Sequence, residues 1–333
     1  MSFSKLYTVL LLSLITNITG VCQSIISNTG YEFIGDNREY FSPYGFAQTI
    51  LASRISQELT FCVDSSHNSF AIGGSYMFIH GAKQFANIPD LQAYYTYQRN
   101  KTTFKLGSFP MLRTVFPLAL YTDSLYYFRP NMQGALLSFS QSFGGIRWKE
   151  TGILDWILQE NYGANESFVA GISGELWYYS LVSKHMYYYR HHAKDTTGGF
   201  KSIEDNGCVL LTVGYVTSDS PIQFSYDIGK LITWQKFRFG NDYYSGGLYT
   251  QAKLAYSRLA VQGTYYYGDP TYLPMGDPLY RSGNYGRIDC KITFIDSPGV
   301  EGTFGFCTHI IDSDINFSQQ LSLKIHVDKI IDK

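Results

Sequence analysis

Polar and apolar residues alternate along much of the chain, which is the pattern of strands with one polar and one apolar face. From Asn316 to Val327 every second residue is polar, and only Gln319 breaks the order. Segments 287–294, 247–256 and 223–227 repeat the pattern. Many of the segments are 9–13 residues long, close to the length of about 9–11 residues that a tilted transmembrane strand needs. Strands of soluble sandwiches are more often about 5–6 residues long.

The links between these segments support the same interpretation. Links 257–259 and 217–221 are short, whereas links 268–284 and 193–206 are long. Outer-membrane barrels have short periplasmic turns and longer outer loops, with aromatic residues near both interfaces. We therefore predict an all-β fold, an antiparallel up-and-down transmembrane β-barrel of about 16 strands. It would begin near residues 30–35 and end at Val327, and region 132–159 leaves 14 or 18 strands open.

Composition and the first residues place this barrel in a membrane outside the cytoplasm. Charged residues make up 16% of the chain and aromatic residues 17%, whereas soluble domains carry about 25% charged residues. Residues 6–15 form an apolar run behind a single Lys, as in a secretory signal peptide. We expect a signal peptide at 1–22, cleaved near Cys22, and an outer-membrane barrel at 23–333. A lipoprotein with acylated Cys22 is the alternative.

The sequence offers little for metal or cofactor chemistry. Cys290 and Cys307 alternate onto opposite faces, so they are not expected to form a disulfide, and no CxxC motif is present. His191 and His192 are adjacent and would point to opposite sides of a strand. We expect no metal and no cofactor. The net charge of −1 also gives no sign of a nucleic-acid partner.

Nucleophilic catalysis is likewise not indicated by a motif. Ser183, His185 and Tyr187 would share one face of a strand, and His309 would face the same way as Thr303. No G-x-S-x-G sequence occurs. We therefore expect that the protein is not an enzyme, although an outer-membrane hydrolase built from scattered residues is kept as a less favoured alternative. Loss of turnover on changing His185 or His309 to Ala would support that alternative.

Segment 268–284 contains Gly-Asp-Pro-x-Tyr twice, eight residues apart. Pro fixes φ, and Gly-Asp before it favours a turn. We interpret the repeat chiefly as turn chemistry in a long outer loop that folds over the barrel mouth. The candidate ligand contacts in this loop are Asp269, Asp277, Tyr272 and Tyr280.

Several stretches resemble a poorly characterised family of outer-membrane β-barrel proteins of the Bacteroidota, which are called porin-like. They are DNREYFSPYG (36–45), GILDWI (152–157), GDPLYRSGNYGRID (276–289), GVEGTFGF (299–306) and NFSQQLSL (316–323). The resemblance covers nearly the whole mature chain and implies no catalytic or ligand residues.

Taken with the alternation, this resemblance favours a porin-like channel for passive diffusion of small polar solutes, with weak ion selectivity. Loop 109–131 is a candidate constriction. The predicted pore-lining residues are Asp227, Lys253, Arg258, Gln262, Arg287, Asp289, Lys291, Lys324 and His326. Expected partners are outer-membrane lipid, the solutes and the barrel-assembly machinery, with the oligomeric state open. The alternative is a closed barrel that serves as a surface binding or scaffold module through its outer loops.

Overall fold

A computed structural model describes residues 24–64, 67–82, 89–111, 116–158, 166–195, 201–217, 221–238, 240–312 and 314–332. Sixteen antiparallel strands close into one barrel, in which each strand pairs with its neighbours in sequence and β1 pairs with β16. The predicted fold class is thereby confirmed. The predicted signal peptide at 1–22 lies outside the described residues.

The strands follow one another with short and long links in near alternation. Their bounds are β1 Ser24–Glu39, β2 Gln48–Asp64, β3 Asn68–Ile79, β4 Asp90–Arg99, β5 Thr102–Pro110, β6 Asn131–Phe143, β7 Ile146–Leu158, β8 Ser167–Tyr178, β9 Leu181–Asp195, β10 Lys201–Val216, β11 Ile222–Phe237, β12 Tyr243–Tyr256, β13 Leu259–Gly268, β14 Asn284–Ser297, β15 Val300–Ile311 and β16 Asp314–Asp332. One short helix, α1 (Asp123–Phe128), lies between β5 and β6, and a 3₁₀ helix (Pro278–Ser282) lies between β13 and β14.

Two predicted boundaries are wrong. β1 begins at Ser24 rather than near residue 30, and β16 continues to Asp332 rather than ending at Val327. The apolar residues after Val327 continue the strand because residues 24–30 of β1 pair with them in register. Region 132–159 contains two long strands, β6 and β7, so the count is 16.

The strand faces divide as the alternation predicted. The alternating apolar residues lie on the outward face, where six of them are between 37% and 48% exposed: Leu254, Ile288, Ile292, Phe304, Phe306 and Leu321. Cys290 pairs with Phe306 on this outward face, whereas Cys307 is buried inside. The four cysteines of the described residues, Cys62, Cys208, Cys290 and Cys307, are free. No described helix is long and apolar enough to cross a membrane.

The long links lie at one end of the barrel, which we assign as the outer end because outer-membrane barrels keep short turns on the periplasmic side. Both chain termini then lie at the periplasmic end. Two of the outer links turn back into the barrel, and they determine the shape of the interior.

Candidate functional site

Residues 116–130, here called the lumen segment, cross the outer half of the barrel from one wall to the other. On one side Arg129 forms an ion pair with Asp155 of β7, and Nη2 of Arg129 is 2.7 Å from Oδ1 of Asp155. On the other side Tyr127 packs against Ile34 and Met77, and its carbonyl oxygen accepts a hydrogen bond from Arg54 of β2. Residues 116–130 of the candidate constriction loop 109–131 therefore fold inward.

The second inward link, residues 269–283, packs on the lumen segment. The amide of Thr122 donates to the carbonyl of Met275 at 2.8 Å, and the amide of Asp277 donates to the carbonyl of Leu118 at 3.0 Å. Together the two links and the wall form an apolar core in the outer half of the lumen. Its members include Phe109, Phe116, Leu120, Tyr121, Tyr188, Leu231, Tyr266, Leu279, Tyr280 and Tyr285. Their burial supplies most of the hydrophobic stabilisation of this arrangement.

A polar site lies beside this core, against β1 and β14–β16. His309 of β15 is 1% exposed. Its Nδ1 is 2.7 Å from the hydroxyl of Tyr285, and its Nε2 is 3.4 Å from Oγ of Ser318 on β16 and 3.3 Å from the hydroxyl of Tyr40. If the Nδ1 proton goes to the oxygen of Tyr285, Nε2 is left as an acceptor facing Ser318. This is the arrangement in which a histidine can deprotonate a serine hydroxyl.

Arg287 of β14 is the centre of the charges next to His309. Its guanidinium is 2.7 Å from Asp289, 3.6 Å from Asp123 and 3.8 Å from Asp277. Burial is the main cause that raises the pKa of Asp277, and the positive charge of Arg287 opposes the shift. The site therefore holds a buried cation beside several carboxylates. Two of these carboxylates, Asp123 and Asp277, are near Arg287 because links 116–130 and 269–283 fold inward.

A small cavity of about 80 Å³ opens onto these groups, and Arg38, Asp123, Arg287, His309 and Ser318 all line it. The aromatic rim of the cavity includes Tyr44 and Phe46 of the link between β1 and β2. Phe46 is 74% exposed and Phe41 of the same link is 75% exposed. Burial raises the pKa of Tyr40, which also lines the cavity, so its hydroxyl stays protonated. The cavity thus combines a serine–histidine pair, two arginines and exposed aromatic rings at the outer end of the barrel.

The strand register places most residues that were predicted to line a pore on the inner wall. Asp227, Lys253, Gln262, Asp289, Lys291, Lys324 and His326 all lie on the strand face that carries the buried residues, and Arg287 lies with them in the polar site. Arg258 differs, because it lies in the turn between β12 and β13 and not on a wall strand. Many of these charges are paired: Lys184 is 2.7 Å from Asp227, and Lys324 is 3.9 Å from Glu32.

The predicted outer-loop contacts divide into two pairs. Asp269 and Tyr272 are exposed, and Oδ2 of Asp269 accepts from the amide of Gly246 at 3.2 Å. Tyr280 is 2% exposed within the apolar core, and Asp277 accepts from the amide of Leu279 at 3.0 Å to begin the 3₁₀ helix. Tyr280 and Asp277 are therefore not surface contacts, because the loop folds into the barrel instead of lying over its mouth.

The two histidines suggested for a hydrolase lie on opposite faces of the barrel wall. His185 is on the outward face of β9, where its Nε2 is 3.0 Å from Glu150. His309 lies inside the barrel with Ser318, a residue that the sequence did not single out. Ser318 pairs with Cys307 and Asn316 pairs with His309 in the register of β15 with β16, so alternation along these two strands places His309 and Ser318 on the same face. Among the described residues no group of three His, Cys, Asp or Glu side chains is arranged to hold a metal ion.

Comparisons with known proteins agree with this architecture. A family model described as Lipid A 3'-O-deacylase-type matches residues 26–333. No curated protein matches the sequence significantly. The barrel is similar to the anion-selective porin from Comamonas acidovorans, with 11% identity and a TM-score of 0.57 over 91% of this chain and 100% of that one. It is also similar to OmpT, an outer membrane protein of Vibrio cholerae, with 8% identity and a TM-score of 0.54 over 91% and 99% of the two chains. Salmonella typhi OmpF in complex with daunomycin gives 12% identity and a TM-score of 0.51 over 90% and 97%.

These structural likenesses show the fold and, with the family match, the outer-membrane location that the sequence predicted. The family match contradicts one expectation. Because no nucleophile motif is present, we expected a protein without enzymatic activity, but the matched family is named for a deacylase. The motif was missing because the candidate serine and histidine lie on two strands and meet only through pairing of β15 with β16.

Proposed function

The chain belongs to the lipid A 3'-O-deacylase-type family, and we propose that it is an outer-membrane hydrolase that cleaves an acyl ester of a lipid A-type glycolipid at the polar site. The observation that carries this proposal is the contact between Nε2 of His309 and Oγ of Ser318 at 3.4 Å, inside a cavity at the outer end of the barrel. Glycolipid of this type is a substrate with ester-linked acyl chains and anionic phosphates.

In the proposed reaction Oγ of Ser318 attacks the ester carbonyl, and Nε2 of His309 takes the serine proton. The sugar hydroxyl leaves with that proton, so an acyl-serine forms as the glycolipid ester bond breaks. Water then attacks the acyl-serine and gives a proton to Nε2 of His309, which returns it to Oγ of Ser318 as the acyl–serine bond breaks and a free fatty acid departs. The hydroxyl of Tyr285 at 2.7 Å from Nδ1 holds the imidazole in the required orientation.

Charge and apolar surface near the cavity suit such a substrate. Arg38 and Arg287 line the cavity, and arginine recognises phosphate oxygens by paired hydrogen bonds. The exposed rings of Phe41 and Phe46 offer contact for acyl chains at the level of the outer leaflet. The cavity itself has room for the ester group, so the remainder of the glycolipid would lie against the rim.

The test is mass spectrometry of lipid A after incubation with the refolded protein. Ser318→Ala and His309→Ala should each lower fatty-acid release by about 100-fold or more, as loss of a nucleophile or general base does. Ser322→Ala and His326→Ala are matched controls, because both residues lie on the same inner face of β16 nearer the periplasm. Release that is unchanged in Ser318→Ala would refute the proposed nucleophile.

A second function, passive diffusion of small polar solutes with weak ion selectivity, is favoured by two polar cavities in the lumen. Cavities of about 230 Å³ and 300 Å³ lie beside the lumen segment, and both signs of charge line them, including Glu32, Lys291, Lys324, Arg54 and Glu58. Mixed charges favour weak selectivity. Planar-bilayer conductance decides the point: stable open-channel steps support the channel, whereas a folded but silent barrel excludes it and leaves the scaffold and hydrolase roles.

A further inference from the structure

Charged and titratable side chains are distributed unevenly over the outward surface of the barrel. Apart from strand-terminal residues and Lys329 near the periplasmic end of β16, the acidic, basic and histidine side chains at outward positions of the described strands lie on β7 and β9–β11. They are Glu150, His185, His191, Asp205, Lys230 and Lys236. The outward positions of β12–β15, and of β16 as far as Val327, are uncharged, as at Leu254 and Ile288. The outward surface of β7–β11 is here called the charged face.

Glu150 and His185 are in contact across the strand that separates them. Oε1 of Glu150 is 3.0 Å from Nε2 of His185, and Trp148 donates its indole N–H to Oε2 of Glu150 at 3.0 Å. Gly174 of β8 lies between them, and a Cβ there would collide with both side chains. The absence of a side chain at this position therefore permits the ion pair on the outward surface.

Lys230 lies on the same outward surface as the Glu150–His185 pair, near the middle of β11. The register runs from Glu150 through Gly174 to His185, and from His185 through Leu211 to Lys230. Adjacent strands are about 4.8 Å apart, so the backbone at His185 is about 10 Å from the backbone at Glu150 and at Lys230. On β11 Lys230 lies midway between the outward aromatics Tyr226 and Trp234, and among the described residues no acid is within ion-pair distance of it. A lysine at such a depth is costly when it faces lipid.

We propose that the charged face is covered by the charged face of a second copy of this chain. A face that carries both acids and bases can complement itself when two copies meet about a twofold axis parallel to the membrane normal. Five strands at about 4.8 Å spacing and an apolar band about 25 Å tall give roughly 600 Å² for each copy, near the lower limit for a specific interface. β9 is the central strand of the face and would lie at the axis.

Ser183→Cys tests the proposal, since Ser183 is an exposed outward residue of β9 and has no part in the polar site. Outer membranes that contain this variant are treated with a short bis-maleimide and analysed by denaturing gel electrophoresis. The wild-type protein is the control, because its own Cys290 faces outward on β14, away from the charged face. We expect a cross-linked band of twice the mass in Ser183→Cys and none in the wild type.

Ser183→Cys combined with Lys230→Glu should reduce the cross-linked fraction by about tenfold or more, because like charges across an interface strongly oppose association. The matched control combines Ser183→Cys with Lys329→Glu, which changes an outward lysine at the periplasmic end of β16. No band of twice the mass, a band of another mass, or a dimer band that Lys230→Glu leaves unchanged would each overturn the proposal. Heat-dependent gel mobility confirms that each variant is folded before the comparison.

Discussion

Arg129 and Asp155 join the lumen segment to the barrel wall by a two-pronged ion pair, in which Asp155 is fully buried and the Nη2–Oδ1 distance is 2.7 Å. Oδ1 of Asp155 also accepts from the amide of Gln133 at 2.9 Å. The carboxylate thus fixes both the wall and the segment that fills the outer lumen.

Arg129→Ala should destabilise the folded protein by about 3 kcal/mol, because it leaves the buried carboxylate of Asp155 without its cation. It should also release one end of the lumen segment and raise single-channel conductance. Thermal unfolding and planar-bilayer recording measure the two effects. Arg147→Ala is the control, since Arg147 stacks on Trp177 at 4.7 Å near the periplasmic end. Equal conductance in Arg129→Ala and the wild type would contradict a role for this pair in closing the lumen.

Gly171→Val should displace Phe116 from the inner wall. A Cβ at Gly171 of β8 would collide with the ring of Phe116 in the lumen segment. We expect a lower unfolding temperature and faster proteolysis within residues 116–130 than in the wild type. Gly152→Val is the matched control, because at Gly152 a Cβ would meet no atom nearer than 4.0 Å. Similar protease sensitivity of the two variants would show that Phe116 is not held at Gly171.

Asp277, whose side chain is 11% exposed, predicts a pH-dependent stability. Burial raises the folded-state pKa of this carboxyl above its unfolded value, so the folded state binds more protons between the two values and stability falls as pH rises through that range. Asp277→Asn keeps an acceptor for the amide of Leu279 and removes the titration. An ordinary aspartate has a pKa of about 3.9, so the relevant range is pH 4 to pH 7. Over this range the unfolding temperature of the wild type should fall further than that of Asp277→Asn. Asp269→Asn, at an exposed position, should behave like the wild type.

Ile292→Lys should lower the free energy of unfolding in lipid by about 2 kcal/mol or more, because Ile292 faces outward and is 47% exposed to the surroundings of the barrel. Ser322→Lys introduces the same charge on the inner face of β16, beside other polar groups, and should cost less. Urea titration of barrels refolded in vesicles compares the two. An equal cost at both positions would contradict the assignment of the faces.

The barrel was predictable because its signals are local: alternation identifies the strand faces, and link lengths identify the ends. The contents of the lumen were harder to predict. Tyr280 and Asp277 lie in a repeated turn motif, and their sequence context does not distinguish a surface loop from one that folds inward. Ser318 and His309 meet through strand register, and Arg287 gains its neighbours from two separate links. These contacts depend on tertiary packing, which composition and periodicity do not specify.

The pairing of β1 with β16 has a consequence for how this chain acquires its structure. Residues 24–39 meet residues 317–332 in sixteen register positions, so the first and last strands close the ring across almost the whole sequence. Contacts with such large sequence separation form slowly because loop closure costs entropy. The polar site lies partly on β16 and beside β1, so any hydrolase activity requires that β16 has paired with β1. A chain that stops before β16 would have two open sheet edges and would lack Ser318 of the polar site. Both closure of the barrel and activity therefore require the C-terminal strand.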